Sequence, residues 1–259
     1  MNDDTKYVFF PGCSLPSYNP ELVEKTLEFL QDRLPGTGSI LKCCGKPTKA
    51  LGQTDLFKER YAGVQQEIDR LGAEEVIVAC QSCYLTMSAY SPRQRIRSLW
   101  TLLPEIGLPE ESIGIGKESD ITFALHDSCP TRDRDDIHDG VRWIMDRLGY
   151  GIEEMGHARG LTRCCGFGGM VLPANPELAR EVMQRRAEEA KSDYMVTYCA
   201  ACRMSMAIGG KTALHLLDLI FGGPWTSEST FPGVGAGTLQ SWGNRYRAKK
   251  SIKKILQTV

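Results

Sequence analysis

Short apolar runs alternate along the chain with longer segments whose apolar residues recur at steps of three and four. The short runs end at turn residues or at cysteines, which is typical of buried strands. They predict strands at residues 6–10, 39–42, 75–79, 121–125 and 194–198. The longer segments predict helices at residues 20–34, 57–71, 137–148 and 176–190. Alternation of this kind favours small parallel sheets covered by helices, so the predicted fold class is α/β.

Three segments outside this pattern lead to further expectations. Residues 91–119 contain several arginines, prolines and glycines and are expected to link two halves, with the arginines in solvent or facing an acidic partner. Residues 222–243 are rich in glycine, serine and proline and predict an irregular loop. Basic residues mix with apolar ones from Arg245 to Leu256, which predicts an amphipathic helix that docks on an acidic subunit or faces solvent.

The ten cysteines form two copies of one formula, C…CCG…CxxC, and none is left over. The first copy has Cys13, Cys43, Cys44, Cys80 and Cys83, and the second has Cys129, Cys164, Cys165, Cys199 and Cys202. The first gap is 30 residues in one copy and 35 in the other, and the second gap is 36 and 34. Such a repeat predicts two pseudo-symmetric halves, at residues 1–118 and 119–221, followed by a loop and basic tail at 222–259.

Several cysteines directly follow predicted strands. Cys13, Cys80, Cys129 and Cys199 each come one to four residues after such a run. Because ligands of open α/β sheets gather at the carboxyl ends of strands, we expect the cysteines of each half to converge there. The glycines that follow the second cysteine pair, Gly166, Gly168 and Gly169, allow backbone to approach a bulky inorganic centre.

Composition restricts the classes of partner and cofactor. The chain has 259 residues, is 42% hydrophobic, and carries a formal net charge of -1, so its overall charge favours neither nucleic acid nor a membrane surface. No apolar stretch is long enough for a signal peptide or a membrane span, so the expected location is the cytoplasm. Thiols remain reduced there, and adjacent cysteines rarely bond each other, so the clusters predict metal or redox sites rather than disulfides.

Five thiolates per site exceed the four that zinc or an ordinary cubane cluster takes, which implies a spare cysteine or an unusual cluster. The doubled motif, with Phe9-Phe10-Pro11-Gly12-Cys13 and Cys164-Cys165-Gly166-Phe167-Gly168-Gly169, resembles the cysteine-rich CCG domain family. The best-known member of this family is the cysteine-rich subunit of heterodisulfide reductase. The resemblance covers roughly residues 7–217.

The resemblance implies that each five-cysteine set binds a noncubane [4Fe-4S] cluster. It also implies a catalytic subunit that reduces or forms a small-molecule disulfide between the two clusters. Electrons would come from a ferredoxin-like iron–sulfur subunit and from a flavin subunit. Three alternatives remain open: an electron-transfer subunit of a lactate or glycolate oxidase, a zinc-binding scaffold without catalysis, and one cluster combined with one zinc.

Thiolate products call for positive charge or hydrogen-bond donors near the cysteines. His126, Lys46 and Arg163 are the candidate catalytic residues, because each lies close in sequence to a cysteine. Lys49 and His157 are weaker candidates of the same kind. For each of them the alternative is a solvated surface side chain or, for the histidines, a hydrogen bond in the core.

Overall fold

The computed structural model describes residues 5–235 and 237–258. The described residues form two compact units, one of residues 5–102 with 237–258 and the other of Leu103–Gly235. The domain limits expected at residues 118 and 221 remain a prediction, because these units are defined by contacts within the chain rather than by the cysteine repeat. No helix in these described ranges has both the length and the apolar character of a membrane span.

The first unit contains a parallel four-stranded sheet in the order β2-β1-β3-β4. Its two central strands are almost entirely buried, as expected for parallel strands with helices on both faces. Its elements are β1 (Tyr7–Phe10), α1 (Ser14–Tyr18), α2 (Pro20–Arg33), β2 (Gly38–Ser39), α3 (Lys46–Ala50), α4 (Thr54–Arg70), β3 (Glu75–Val78), α5 (Gln81–Tyr90) and β4 (Arg95–Ser98). The next helix, α6 (Leu99–Ile106), begins in the first unit and ends in the second.

The second unit repeats this arrangement in a sheet of order β6-β5-β7-β8, again with all neighbours parallel. Its elements are β5 (Thr122–His126), α7 (Asp135–Leu148), β6 (Gly151–Glu154), α8 (Val171–Ala174), α9 (Pro176–Glu188), β7 (Tyr194–Thr197), α10 (Ala200–Ile208), β8 (Thr212–His215) and α11 (Leu216–Phe221). In each sheet the second strand lies outside the first, and the third and fourth follow on the other side. The predicted α/β fold with two small parallel sheets flanked by helices is therefore confirmed.

Local signals in the sequence account for several element limits. Asn175 caps α9, since its side chain accepts a hydrogen bond from the backbone N–H of Leu178 at 3.1 Å. Pro176 occupies the first turn of this helix, where its missing N–H costs nothing. The predicted strand at residues 39–42 lies earlier, at Gly38–Ser39, because Ile40 and Leu41 already lead into the cysteine pair.

The expectation that residues 91–119 only link the two halves is wrong. This segment contains β4, which completes the first sheet, and α6, whose Trp100 is fully buried. The arginines of β4 alternate along the strand and share one carboxylate on the neighbouring strand. Arg95 and Arg97 lie 3.5 and 3.6 Å from Glu75. Arg95 is mostly in solvent, as expected, whereas Arg97 is largely buried against the sheet.

The basic tail forms the predicted helix, α12 (Thr238–Thr258). One face of this helix packs on α1 and α2 of the first unit, where Ala248 and Ile252 are buried. Asn244 donates a hydrogen bond from Nδ2 to the carbonyl oxygen of Ser17 at 2.7 Å. The described residues between Phe221 and Thr238 form neither helix nor strand, so the expected irregular loop ends earlier than residue 243.

Candidate functional site

The first five cysteines meet at the carboxyl edge of the first sheet. Cys13 follows β1, the Cys43-Cys44 pair follows β2, and Cys80 and Cys83 lie at the start of α5 after β3. Hydrogen bonds between side chains join neighbouring sulfurs in the order Cys13, Cys43, Cys44, Cys83 and Cys80. We call this set the first cysteine cluster.

The other five cysteines form a second cysteine cluster with the same connections. Side-chain hydrogen bonds run in the order Cys129, Cys164, Cys165, Cys202 and Cys199. All ten cysteines lie in the described part of the chain, and none is in a disulfide. The repeat in sequence is therefore also a repeat of sulfur-to-sulfur contacts, one in each unit.

One member of each adjacent pair is far more acidic than an ordinary thiol. Hydrogen bonds with Cys13 and Cys44 lower the pKa of Cys43 to about 2. Hydrogen bonds with Cys129 and Cys165 likewise lower the pKa of Cys164 to about 2. Each cluster thus places a thiolate among further thiols, which release their protons when a thiophilic metal binds.

Backbone approaches the sulfurs closely at two kinds of glycine. A Cβ atom on Gly12 would lie 2.8 Å from Cys80 Cβ and 3.3 Å from Cys83 Sγ, so only glycine leaves space there. Gly45 and Gly166, which follow the cysteine pairs, have φ angles of +79° and +86°. These left-handed conformations favour glycine, and the backbone N–H groups of Gly45 and Gly166 donate to the sulfurs of Cys43 and Cys164.

The donor set fits an iron–sulfur group. Thiolates are soft ligands and favour iron–sulfur clusters, zinc or Cu(I). A structural zinc site closes with four ligands, whereas each of these chains of contacts joins five cysteines. Cys165, Cys199 and Cys202 of the second cluster pack with an apolar group of Ala124, Met155, Met195 and Met206, which keeps water away from these three sulfurs.

His126 lies against the second cysteine cluster and is fully buried. One of its ring nitrogens and the Sγ atoms of Cys165 and Cys202 lie within 4.8 Å of one another. Nδ1 accepts a hydrogen bond from Nε of Arg186 at 3.1 Å, and Nε2 has no hydrogen-bond partner among the described residues. Burial, followed by the positive charge of Arg186, lowers the pKa of His126 to about 4. The ring is therefore neutral near pH 7 and carries its proton on Nε2.

The corresponding position of the first unit has a different residue. Phe10 ends β1 as His126 ends β5, and both precede the first cysteine of their cluster by three residues. Phenylalanine offers no hydrogen-bond donor, so the two clusters have similar sulfur connections but different polar surroundings.

The remaining candidate residues take varied positions. Arg163 forms an ion pair with Glu189, with Nη1 and Oε1 2.8 Å apart, and His157 Nδ1 lies 3.4 Å from the same carboxylate. The backbone N–H of Lys46 donates a hydrogen bond to the Cys44 sulfur. The ammonium of Lys49 lies 4.8 Å from the centre of the Tyr90 ring. Lys46 thus reaches the first cluster through its backbone.

Two buried polar groups of the second unit were missed from sequence. Arg186 is 1% exposed and lies on the face of α9 that packs inward. The sequence signal that could have revealed it is the position of a cation among the apolar residues of that face. Asp127 is fully buried beside His126 and accepts hydrogen bonds from Arg142 at 2.9 and 3.2 Å. It also accepts one at 2.7 Å from the backbone N–H of Arg159, so it fixes the turn that carries Cys129.

Comparison with known proteins assigns a family description to these features. The model of the CCG cysteine-rich domain matches residues 7–88 and 123–207. The chain is 24% identical over 226 residues to one subunit of the dihydromethanophenazine:CoB–CoM heterodisulfide reductase of Methanosarcina mazei, covering 81% of this chain and 55% of that protein. It is 21% identical over 239 residues to the glycolate oxidase iron-sulfur subunit of Escherichia coli, covering 83% and 57%. The chain spans about half the length of the curated relatives that it matches.

Among solved structures, an aspartate racemase of Picrophilus torridus aligns with a TM-score of 0.40 and 11% identity, over 83% of this chain and 90% of that one.

Proposed function

Because the chain belongs to the CCG cysteine-rich domain family, whose model matches more than half of it, we propose that it is the catalytic iron–sulfur subunit of a heterodisulfide reductase-like complex. In this proposal it reduces, or in reverse forms, the disulfide bond of a small molecule. The observation that supports it most directly is the presence of two complete five-cysteine clusters with the same order of sulfur contacts. A subunit with two complete clusters can supply both electrons that cleavage of one disulfide requires.

The cofactors in this proposal are two [4Fe-4S] clusters of the noncubane type. When bound, such clusters supply electrons and a metal position for sulfur. The ligands would be Cys13, Cys43, Cys44, Cys80 and Cys83 for one cluster and Cys129, Cys164, Cys165, Cys199 and Cys202 for the other. The chain itself contributes thiolates, glycines that admit the group, and an apolar surrounding that excludes water.

Three other side chains complete the proposed site. The ring of His126 lies within 4.8 Å of the sulfurs of Cys165 and Cys202, and its proposed role is to stabilise negative charge on the second cluster without transferring a proton. The proposed role of Lys46 and Arg163 is to stabilise thiolate products, because each residue is close in sequence to a cysteine pair. Lys46 contacts Cys44 through its backbone N–H. Arg163 is already paired with Glu189, which reduces the charge it offers to a product.

The electrons come from partners in this proposal. A ferredoxin-like subunit and a flavin subunit are the expected donors, because all ten cysteines of the chain are assigned to the two clusters. The proposed location is the cytoplasm, where thiols in this number remain reduced.

Metal and sulfide analysis of anaerobically purified protein tests the cofactor. Two clusters predict about eight irons and eight sulfides per chain. Cys43→Ala and Cys164→Ala should each remove about half of the iron, while Ser82→Ala, a control inside the CxxC motif, should retain it. One or two zinc ions with little iron would contradict the proposal and favour a scaffold, and about four irons with one zinc would restrict redox chemistry to one unit.

A thiol-sensitive electron paramagnetic resonance signal of the oxidised protein tests the substrate class. Addition of small thiols should change the signal if a substrate sulfur binds at either cluster. The similarity to the glycolate oxidase subunit of Escherichia coli favours one second candidate, electron transfer in a hydroxy-acid oxidase. A signal that thiols leave unchanged, together with a co-purifying flavoprotein that oxidises glycolate or lactate, would decide for that candidate.

A further inference from the structure

A cavity of about 360 Å³ opens beside the first cysteine cluster, entirely within the first unit. One wall contains Cys13 and Cys43, and the opposite wall is formed by α12. Cys43 is exposed and Cys13 is half-buried, so their sulfurs are the part of the cluster that a molecule in the cavity reaches first. The volume lies at the lower end of the range for small-molecule sites, about 300–1,000 Å³.

The wall formed by α12 is one continuous face of the helix. Trp242, Arg245, Tyr246 and Lys249 follow one another at steps of three, one and three, which places them on one side over two turns. The neighbouring face, with Asn244, Ala248 and Ile252, packs on the first unit. Docking of the buried face therefore holds the other face over the cysteines.

The cations of this wall have no carboxylate partner in the described part of the chain. Arg245 donates from Nε to Ser17 Oγ at 2.5 Å and lies 5.3 Å from the centre of the Trp242 ring. Neither Arg245 nor Lys249 has a carboxylate partner among the described residues, and the residues that line the cavity include no aspartate or glutamate. Arg245 lies close enough to interact with the charge of Cys43, so an anion bound here would lie beside that sulfur. Because Ser17 engages Nε, the terminal nitrogens of the guanidinium remain available as a fork for a carboxylate, phosphate or sulfonate.

The aromatic residues of the wall have little contact with the protein. Trp242 and Tyr246 are 64% and 71% exposed, although large aromatic side chains usually find a packing surface. An aromatic lining with a small number of charged groups is typical of small-molecule sites, and cations in such a lining suit a molecule that combines an apolar part with an anionic group.

We propose that this cavity is a substrate subsite that binds the anionic end of a small thiol or disulfide, with Arg245 and Lys249 as the anion-binding residues. The inference rests on the proposed function, because it assigns the charge class of the substrate of that site. It also gives the basic tail a role at the first cysteine cluster. The second cluster has no such wall, because the described part of its unit contains no equivalent of α12.

Direct binding tests the cavity without turnover. The probe is 3,3′-thiodipropionate, a dianion whose thioether cannot be reduced, titrated by calorimetry into the purified protein. Loss of a hydrogen bond to a charged group should weaken binding by roughly tenfold or more, both in Arg245→Gln and in Lys249→Gln. Lys250→Gln, which removes an exposed cation of α12 outside the cavity, should bind as the parent protein does. If loss of the Ser17 contact unfolds the Arg245→Gln variant, Lys249→Gln still tests the cavity, because Lys249 does not make that contact.

Turnover then separates this inference from the proposed function. Three disulfides of similar size differ in charge: dianionic 3,3′-dithiodipropionate, neutral bis(2-hydroxyethyl) disulfide and dicationic cystamine. Each reduction takes two electrons from reduced methyl viologen and two protons from solvent, and gives two thiols. We expect the dianion to have the highest kcat/KM and the two glutamine variants to lose this preference.

Each outcome bears on one of the two proposals. Reduction of all three disulfides at equal kcat/KM would overturn the subsite and leave the proposed function standing. Tight binding of the thioether that depends on Arg245 and Lys249, with no disulfide reduced, would support the subsite and contradict the proposed function. Equal binding by parent and glutamine variants, or binding of an acidic protein but not of the dianion, would overturn the subsite.

Discussion

Replacement of Arg186 by methionine removes the buried cation behind the second cysteine cluster while nearly preserving side-chain length. The guanidinium donates to four groups: His126 Nδ1 at 3.1 Å, the carbonyl of His157 at 2.9 Å, Glu189 Oε2 at 2.5 Å and Thr162 Oγ1 at 3.4 Å. Methionine satisfies none of these acceptors, and His126 would then have no partner for either ring nitrogen among the described residues.

The expected loss of stability follows from these contacts. Removal of one partner of a buried ion pair costs ~3–5 kcal/mol, and each hydrogen bond to a charged group contributes ~1.5–3 kcal/mol. Glu189 retains Arg163 and is partly open to solvent, with 18% of its side chain exposed, so the lower end applies. We expect Arg186→Met to reduce the free energy of unfolding by about 3 kcal/mol. Arg186→Lys retains the charge without the planar fork and should lose about 1–2 kcal/mol.

Urea denaturation of the anaerobically purified protein measures these differences. The matched control is Arg185→Met, since Arg185 is the exposed neighbour on the same helix and its loss should change the free energy by less than about 0.5 kcal/mol. If Arg186→Met unfolds at the same urea concentration as Arg185→Met, the buried contacts of Arg186 do not stabilise the unit and the reasoning fails.

Three further predictions concern other parts of the molecule. Cys165→Ala should lower iron and sulfide by about half and leave the protein folded, because Cys165 contacts the sulfurs of Cys164 and Cys202; unchanged iron would contradict its assignment as a ligand. Asn244→Ala should lower the unfolding free energy by about 1 kcal/mol through loss of its hydrogen bond to the carbonyl of Ser17, and an unchanged melting temperature would show that α12 docks without it. Burial raises the pKa of Tyr150, although the backbone N–H of Trp225 donates to its hydroxyl. A group whose pKa is raised on folding stabilises the fold below its unfolded pKa of about 10 and loses that contribution as the pH rises through the folded pKa. Tyr150→Phe should therefore show a smaller loss of stability between about pH 9 and pH 11 than the parent, and identical pH profiles would refute this.

Much of the fold was predictable because its signals are local. The buried runs of β1 and β3, the helical period of α4 and α7, and the Asn175-Pro176 start of α9 each depend on residues close in sequence. The edge strand β4 was missed because its residues are mostly polar. Its arginines are accommodated through Glu75, a residue on a different strand.

The cysteine sets were also predictable, whereas the polar groups around them were not. Spacing alone assigned ten cysteines to two groups, because the repeat uses every one of them. Spacing does not reveal that Arg186 reaches His126 from α9, or that Asp127 joins Arg142 and Arg159 beneath Cys129. These partners are 15–60 residues apart in sequence and meet only when helices pack on the sheet.

The amino-acid sequence therefore determines the repeat, the class of fold and the chemical nature of the donor atoms, because each of these follows from residue type and spacing along the chain. The order of contact among the sulfurs, the neutral state of His126 and the cavity beside Cys43 follow from packing between distant segments. α12 shows the difference most clearly: its basic and apolar residues predict an amphipathic helix, but only its docking on α1 and α2 aligns Arg245 and Lys249 with the first cysteine cluster. Helical periodicity specifies which residues share a face, whereas the surface on which a helix packs depends on the shape and polarity of the whole unit.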